Sequence, residues 1–136
     1  MTLPEYLRSV QKKPFCWGEH DCLTFTNKCI EIYCGFGYAD DWIGEYKCAL
    51  SARRWYLKML KKYGYDCITD AIDDRLTRVD VKVPVDGSLV ARKEDGKKPV
   101  VGRIMGIYYA GSVVFLSSAG LQFTLIKDDD IFWSVA

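Results

Sequence analysis

The residues that could perform covalent chemistry are concentrated in one segment, residues 15–22, which reads Phe-Cys-Trp-Gly-Glu-His-Asp-Cys. Asp21 is a favourable N-cap residue, so a helix is predicted to begin at Cys22. A thiol in the first turn of a helix lies near unpaired N–H groups and the positive end of the helix dipole, and both stabilise the thiolate. Cys22 is therefore the candidate nucleophile. The alternative is a cysteine that serves only as part of the hydrophobic core.

A cysteine nucleophile needs a group that accepts the thiol proton and returns one to the leaving amine, which contributes about 10²–10⁴-fold in rate. His20 is the only histidine of the chain. Because it precedes Cys22 by two residues, its ring would have to fold back over the helix start to act as this base. The alternative is a loop histidine that is exposed or lightly hydrogen-bonded. Asp21 has a second possible effect, because an anion beside the sulfur opposes thiolate formation.

Metal and cofactor binding are not predicted. Cys16, His20 and Cys22 have the spacing C-x3-H-x-C, which lacks the paired ligands of structural zinc sites. The six cysteines, at positions 16, 22, 29, 34, 48 and 67, form no CxxC pair. Residues 1–15 contain no apolar signal core, which favours reduced thiols in a protein made in a cytosol. A structural disulfide that includes Cys16 is the alternative.

The length and composition indicate one domain over residues 1–136, with a mass of 15.6 kDa. Hydrophobic residues make up 49% and charged residues 27% of the chain, which excludes a disordered tail. The 19 basic and 18 acidic residues leave a net charge of +1. A charge this small gives no field that would steer the molecule to nucleic acid or anionic lipid, so neither is predicted as a partner.

Hydrophobic periodicity divides the chain into a helical half, about residues 1–78, and a strand-rich half, about residues 79–136. Residues 104–126 carry no charge and are long enough to span a bilayer, but glycine and serine interrupt them at strand spacing. They are predicted to form hairpins. The fold class is α+β, with an antiparallel sheet of about five strands. Helices are predicted at 3–11, from Cys22 to Gly35, from Tyr46 to Gly64 and at 70–76, and strands at 79–85, 87–93, 104–110, 113–118, 121–126 and 131–135, with a charged loop at 94–99.

The motif Trp17-Gly18-x-x-Asp21-Cys22 at a helix start resembles the NlpC-type cell-wall cysteine peptidases, which have a papain-like fold. The chain is most similar to a small phage-associated branch of that superfamily, and the resemblance covers roughly residues 14–134. Further matches in the same order are the acidic pair Asp40-Asp41, Gly44-Glu45-Tyr46, Gly87-Ser88-Leu89, Met105-Gly106-Ile107-Tyr108, Gly120-Leu121 and Phe132-Trp133.

The resemblance implies a groove in which a histidine at the start of a strand faces the cysteine. Ile104 occupies the corresponding position in this chain. The polar group that would orient the histidine falls near Leu116, Ser117 or Ser118, and none of these is diagnostic. The catalytic pair is therefore incomplete, unless His20 replaces the missing base.

Two functions follow from the resemblance. The first is a virion component of a tailed bacteriophage, in the tail or its tip, which is made in the host cytoplasm, keeps the peptidase scaffold without its chemistry and binds other tail proteins. The second is an active cysteine peptidase that cleaves peptidoglycan during phage entry, with Cys22 as nucleophile.

Trp17, Trp42 and Tyr46 are the candidate binding residues. In a peptidase they would wall the substrate groove, and in an assembly protein they would anchor a partner, because buried aromatic side chains dominate binding energy at interfaces. The alternative is a small core that fastens the loop between two helices to the body of the domain.

Overall fold

A computed structural model of the protein describes residues 1–44, 46–79, 84–93 and 103–134. Four helices occupy the first part of the chain: α1 (Leu3–Ser9), α2 (Cys22–Cys34), α3 (Ala49–Tyr63) and α4 (Ile68–Asp73). The Oγ1 of Thr2 caps α1 by accepting the Glu5 N–H at 3.3 Å. Left-handed glycines end α2 and α3 at the predicted positions, Gly35 and Gly64.

Four helix boundaries differ from those predicted, one of which is the end of α4, at Asp73 rather than at residue 76. Helix α1 ends at Ser9 rather than at residue 11, and α4 begins two residues earlier, at Ile68. Helix α3 begins at Ala49 rather than near Tyr46 because Cys48 takes the N-cap position, where the Ser51 hydroxyl accepts its N–H at 3.2 Å. Hydrophobic spacing alone does not reveal such local hydrogen bonds.

In the described ranges, six strands form one sheet, where about five were expected. All of its pairs are antiparallel, in the order β1-β6-β2-β3-β4-β5. The expected strand at 79–85 is described only at its ends, and the predicted loop at 94–99 lies outside the described residues. The strands are β1 (Thr77–Val79), β2 (Leu89–Arg92), β3 (Ile104–Tyr109), β4 (Ser112–Ser117), β5 (Gly120–Thr124) and β6 (Ile131–Ser134).

The uncharged segment 104–126 forms consecutive hairpins, as predicted. Strands β3 and β4 are joined at Ala110 and Gly111, which both have positive φ, 52° and 85°, as a tight two-residue hairpin turn requires. The Ala110 N–H donates to Asp86 Oδ1 at 2.9 Å. In the described part of the chain, none of the helices has the length and apolar character needed to cross a bilayer.

The sheet carries a hydrophobic cluster on each face. The larger cluster lies between the sheet and the helices, with α2 packed on β3 and β4. Met105 and Ile107 of β3 belong to this cluster. Ile104 and Tyr108 pack on the opposite face against a smaller cluster of Val90, Val113, Phe115 and Phe132. The alternation follows from the two-residue period of a strand.

A buried ion pair links β2 to the segment that precedes β6. Both Arg92 and Asp130 are buried, and their side chains form two hydrogen bonds of 2.9 and 2.8 Å. Arg92 also donates to Thr124 Oγ1 and the Leu125 carbonyl, and its guanidinium lies 4.7 Å from the Phe115 ring centroid. The pair therefore connects the end of β5 and the start of β6 to the centre of the sheet.

Replacing Asp130 with alanine is expected to cost about 3–5 kcal/mol in the free energy of unfolding, because a buried guanidinium loses its counter-ion. Urea unfolding followed by tryptophan fluorescence measures this cost. The control is Glu31→Gln in the exposed Lys28–Glu31 pair, which should change the free energy by less than about 0.5 kcal/mol. An equally small effect of Asp130→Ala would show that the buried pair does not stabilise the fold.

Candidate functional site

The turn before α2 is closed by backbone hydrogen bonds between Cys16 and His20, in which each N–H donates to the other carbonyl at 2.9 and 2.8 Å. Gly18 lies inside this turn with a φ of +82°. A Cβ at this position would lie 2.2 Å from the Tyr46 carbonyl oxygen. Only glycine satisfies both constraints, so the Trp-Gly pair of the motif has a structural function.

Asp21 is the N-cap of α2, as predicted, and it is fully buried. Its Oδ1 accepts the N–H groups of Leu23 and Thr24 at 3.0 and 2.9 Å, and its Oδ2 accepts that of Gly18 at 2.9 Å. The Thr24 hydroxyl completes a capping box by accepting the Asp21 N–H at 2.8 Å. One carboxylate therefore holds both the turn and the first turn of the helix.

Cys22 is the first residue of α2 and is partly buried against the larger hydrophobic cluster. Burial, followed by the charge of Asp21, raises the pKa of the Cys22 thiol to about 12. Backbone hydrogen bonds from Met105 and Leu23 lower the pKa but do not compensate. The direction is opposite to that expected for a thiol at a helix start, because loss of solvent outweighs the helix dipole.

Tyr38, Tyr46 and Tyr56 lie close enough to Cys22 that a thiolate there would raise the pKa of each phenol. The Tyr38 hydroxyl is 2.9 Å from Thr26 Oγ1, and the hydroxyls of Tyr46 and Tyr56 hydrogen-bond to each other. Burial raises the pKa of each of these phenols above the ordinary value of 10.0. At neutral pH the thiol therefore lies among neutral phenols rather than cations.

His20 is buried, with 2% of its surface exposed, so of the two forms expected for a loop histidine, exposed or lightly hydrogen-bonded, the exposed one is wrong. Its ring meets the Phe25 ring edge to face, with centroids 6.0 Å apart. Within the described residues, Nε2 has no hydrogen-bond partner and no hydrogen bond joins the ring to Cys22. Burial, together with the charge of Lys13, holds the pKa of His20 below 6.5, so the ring is neutral at pH 7.

Ile104 does not face Cys22, contrary to the sequence-based expectation. Its side chain packs on the far face of the sheet, whereas the backbone of its neighbour Met105 approaches the Cys22 sulfur. The reason is that successive strand residues point to opposite faces. Two residues at the position expected for a polar orienting group have structural roles. Leu116 packs against the larger cluster, and Ser117 Oγ donates to the Gly120 carbonyl at 2.8 Å.

The three candidate binding aromatics are largely internal. Trp42 and Tyr46 are 1% and 2% exposed, and Trp17 packs its ring edge against Tyr46. The Trp42 carbonyl accepts the indole N–H of Trp55, and the Trp42 ring stacks on Tyr63 with centroids 6.2 Å apart. The arrangement corresponds to the small core considered as the alternative, which fastens the loop before α3 to the domain.

Cys16, His20 and Cys22, the three residues with the C-x3-H-x-C spacing, differ in their surroundings. Cys16 is exposed, with its thiol 3.7 Å from Glu19 Oε2, whereas His20 and Cys22 point into the interior. Within residues 1–44, 46–79, 84–93 and 103–134, no three metal-ligating side chains come together. All six cysteines are free thiols.

Cys48 is exposed at the N-cap of α3. Hydrogen bonds from the Ser51 hydroxyl and backbone, with a smaller contribution from the charge of Arg54, lower the pKa of this thiol below 9.0. The C-x-x-S spacing before a helical pattern was the available signal, because it matches a helix N-terminus. The pKa shifts of Cys22 and Cys48 thus have opposite directions, because Cys22 is buried beside Asp21 whereas Cys48 is exposed and accepts hydrogen bonds from Ser51.

A family model described as a domain of unknown function, DUF6950, matches residues 1–135. The chain belongs to the DUF6950 family. Comparison with the curated proteins and with the solved structures returned no match. The match spans residues 1–135, and the family description names no activity, so the activity is argued from the site.

Alkylation of the folded protein at pH 7.5 is expected to modify Cys48 first and Cys22 at least about 100-fold more slowly, because only the thiolate reacts. Peptide mapping by mass spectrometry after timed iodoacetamide treatment gives the rate at each thiol. Cys16 is the control. Its side chain is exposed, but partial desolvation of the thiol and the charge of Glu19 raise its pKa. Comparable rates at Cys22 and Cys48 would contradict the buried, protonated state of Cys22.

Stability is expected to fall as the pH drops below about 6.5, because unfolded His20 then binds a proton that the folded protein excludes. A histidine whose pKa is lower in the folded than in the unfolded protein contributes fully to the stability above its unfolded pKa. This contribution is lost as the pH falls towards the folded pKa. His20→Leu should flatten the decline between pH 7.5 and pH 5 in urea unfolding. Since the chain has no other histidine, an identical pH profile in the variant would place the proton uptake elsewhere.

Proposed function

We propose that this DUF6950 protein is a virion component of a tailed bacteriophage, in the tail or tail tip, and acts by binding other tail proteins rather than by catalysis. The state of Cys22 carries the non-catalytic part of the proposal. The phage setting and the papain-like, NlpC-type scaffold rest on the sequence resemblance. A helical layer that places Cys22 at the start of α2, against β3 of an antiparallel sheet, is compatible with that scaffold.

Catalysis by Cys22 would require a thiolate and a proton shuttle. A pKa of about 12 instead of 9.0 reduces the thiolate population at neutral pH by about a thousandfold. The shuttle is equally unavailable in this geometry, because Ile104 faces away and His20 packs against Phe25. Neither half of the chemistry of a cysteine peptidase is supplied by these residues.

The residues of the motif have an explanation without chemistry. Gly18 is required by its φ and by the Tyr46 carbonyl, and Asp21 by the N–H groups that it accepts. These interactions build a rigid turn and helix start. A domain that has lost catalysis would still need them to fold, which supports a binding role for the scaffold.

The second candidate is an active cysteine peptidase that cleaves peptidoglycan during phage entry. One observation favours it, namely that backbone hydrogen bonds from Met105 and Leu23 act on the Cys22 sulfur and lower its pKa. The same arrangement would stabilise a thiolate if solvent or a cation entered the site. The two candidates differ in whether peptide-bond cleavage depends on Cys22.

Incubation of the purified chain with peptidoglycan sacculi is expected to release no muropeptides, and Cys22→Ser should behave as the wild type does. Liquid chromatography of the soluble fraction measures the release. His20→Gln provides a second matched variant, which tests the only imidazole. Release that is lost in Cys22→Ser would establish the peptidase and overturn the non-catalytic proposal.

Mass spectrometry of purified tailed particles, from the phage or prophage whose genome carries this sequence, tests the virion role. Peptides of this chain should be present and should remain with the tail fraction after heads and tails are separated. Absence of the protein from assembled particles would remove the structural role, whatever the outcome with sacculi.

A further inference from the structure

A groove on α3 has a volume of about 250 Å³. We call it the α3 groove. It is lined by Tyr46, Ser51, Arg54, Trp55 and Lys58. Four of these five residues belong to one helix, so the groove is positioned by a regular element rather than by a loop.

The wall of the α3 groove is held in place. The Trp55 indole N–H donates to the Trp42 carbonyl, and a Cβ at Gly44 would lie only 2.5 Å from the Trp55 ring. The Lys58 ammonium lies 5.9 Å from the centroid of the same ring. The indole is therefore fixed, with Gly44 packed against the ring and Lys58 near it.

The described lining of the groove carries two positive charges. Arg54 and Lys58 are exposed one helical turn apart and both line it. In the described ranges, the ion pairs join other side chains, and the lining includes no carboxylate. Two cations at this spacing attract an anionic group that can contact both.

Exposed leucines flank these cations. Leu50 and Leu57 are 59% and 53% exposed, and they lie four residues before and three residues after Arg54 on the outer face of α3. Residues at these spacings are neighbours on a helix surface. The outer face of α3 thus combines an apolar stripe with a basic groove, and both parts must be matched by an occupant.

We propose that the α3 groove and the Leu50–Leu57 stripe bind an acidic, amphipathic segment of a partner polypeptide. Its carboxylates contact Arg54 and Lys58, and its apolar side chains cover Leu50 and Leu57. Charge complementarity favours an acidic partner. The exposed leucines favour a polypeptide, because its apolar side chains can cover them. Nucleic acid fits less well, because Gly44 packs against the Trp55 ring on which a base would stack and the exposed leucines offer phosphates no partner.

This inference names the kind of partner for the binding role proposed above and rests on that role only for the partner's source. It does not involve Cys22. If the protein is present in virions but α3 binds no peptide, only the proposal for the groove is wrong. If α3 binds the peptide but the protein is absent from virions, only the phage role is wrong.

Fluorescence anisotropy with a labelled peptide of alternating leucine and glutamate pairs, Leu-Glu-Glu-Leu-Leu-Glu-Glu-Leu, tests the proposal on the full chain. The same peptide with glutamine in place of glutamate should bind at least about tenfold more weakly, since each 1.4 kcal/mol is a factor of ten. Arg54→Gln/Lys58→Gln should lose at least as much. Leu50→Ser/Leu57→Ser should also weaken binding.

Lys12→Gln/Lys13→Gln is the matched control, because it removes the same charge from exposed positions that lie outside α3 and do not line the groove. It should change the affinity less than about threefold. Equal losses in the two charge variants, no peptide binding up to about 1 mM, or tighter binding of a twelve-nucleotide oligothymidine would each overturn the proposal. Unchanged circular dichroism confirms that each variant is folded.

Discussion

The buried carboxylate of Asp21 is the interaction on which the site depends. It accepts one N–H from the turn before α2 and two from the helix itself, so the turn and the helix cannot move independently. Gly18, inside that turn, contacts the Tyr46 carbonyl, which connects the unit to the loop before α3. Hydrogen bonds to a charged acceptor are stronger than neutral ones, and burial keeps water from replacing them.

The same carboxylate makes the neighbouring thiol difficult to ionise. A helix N-terminus favours a negative charge by about 0.3–1 kcal/mol at an exposed position. Loss of solvent around Cys22, together with the adjacent anion, acts in the opposite direction and is larger. A cysteine nucleophile overcomes this penalty when an imidazolium pairs with it. The cap that stabilises the fold therefore opposes catalysis unless such a cation is present.

Local signals in the sequence predicted the helix caps at Thr2, Asp21, Gly35 and Gly64 and the hairpin at Ala110-Gly111, because each depends on neighbouring residues. Long-range properties could not be predicted in this way. The burial of His20 depends on Phe25 and the surrounding core, and the orientation of Ile104 depends on the register of β3. The Arg92–Asp130 pair joins residues 38 positions apart, and no periodicity reports it. The fold alone tests neither the phage role nor the resemblance to the peptidases.

The position of β6 has a consequence for the order of assembly. β6 is synthesised after the other five strands, yet it lies between β1 and β2. Until residue 134 has left the ribosome, β1 has no neighbour in the sheet and β2 has an open edge. Domains of this kind complete their sheet late, through contacts between distant parts of the chain, which slows folding and exposes an unpaired edge during synthesis.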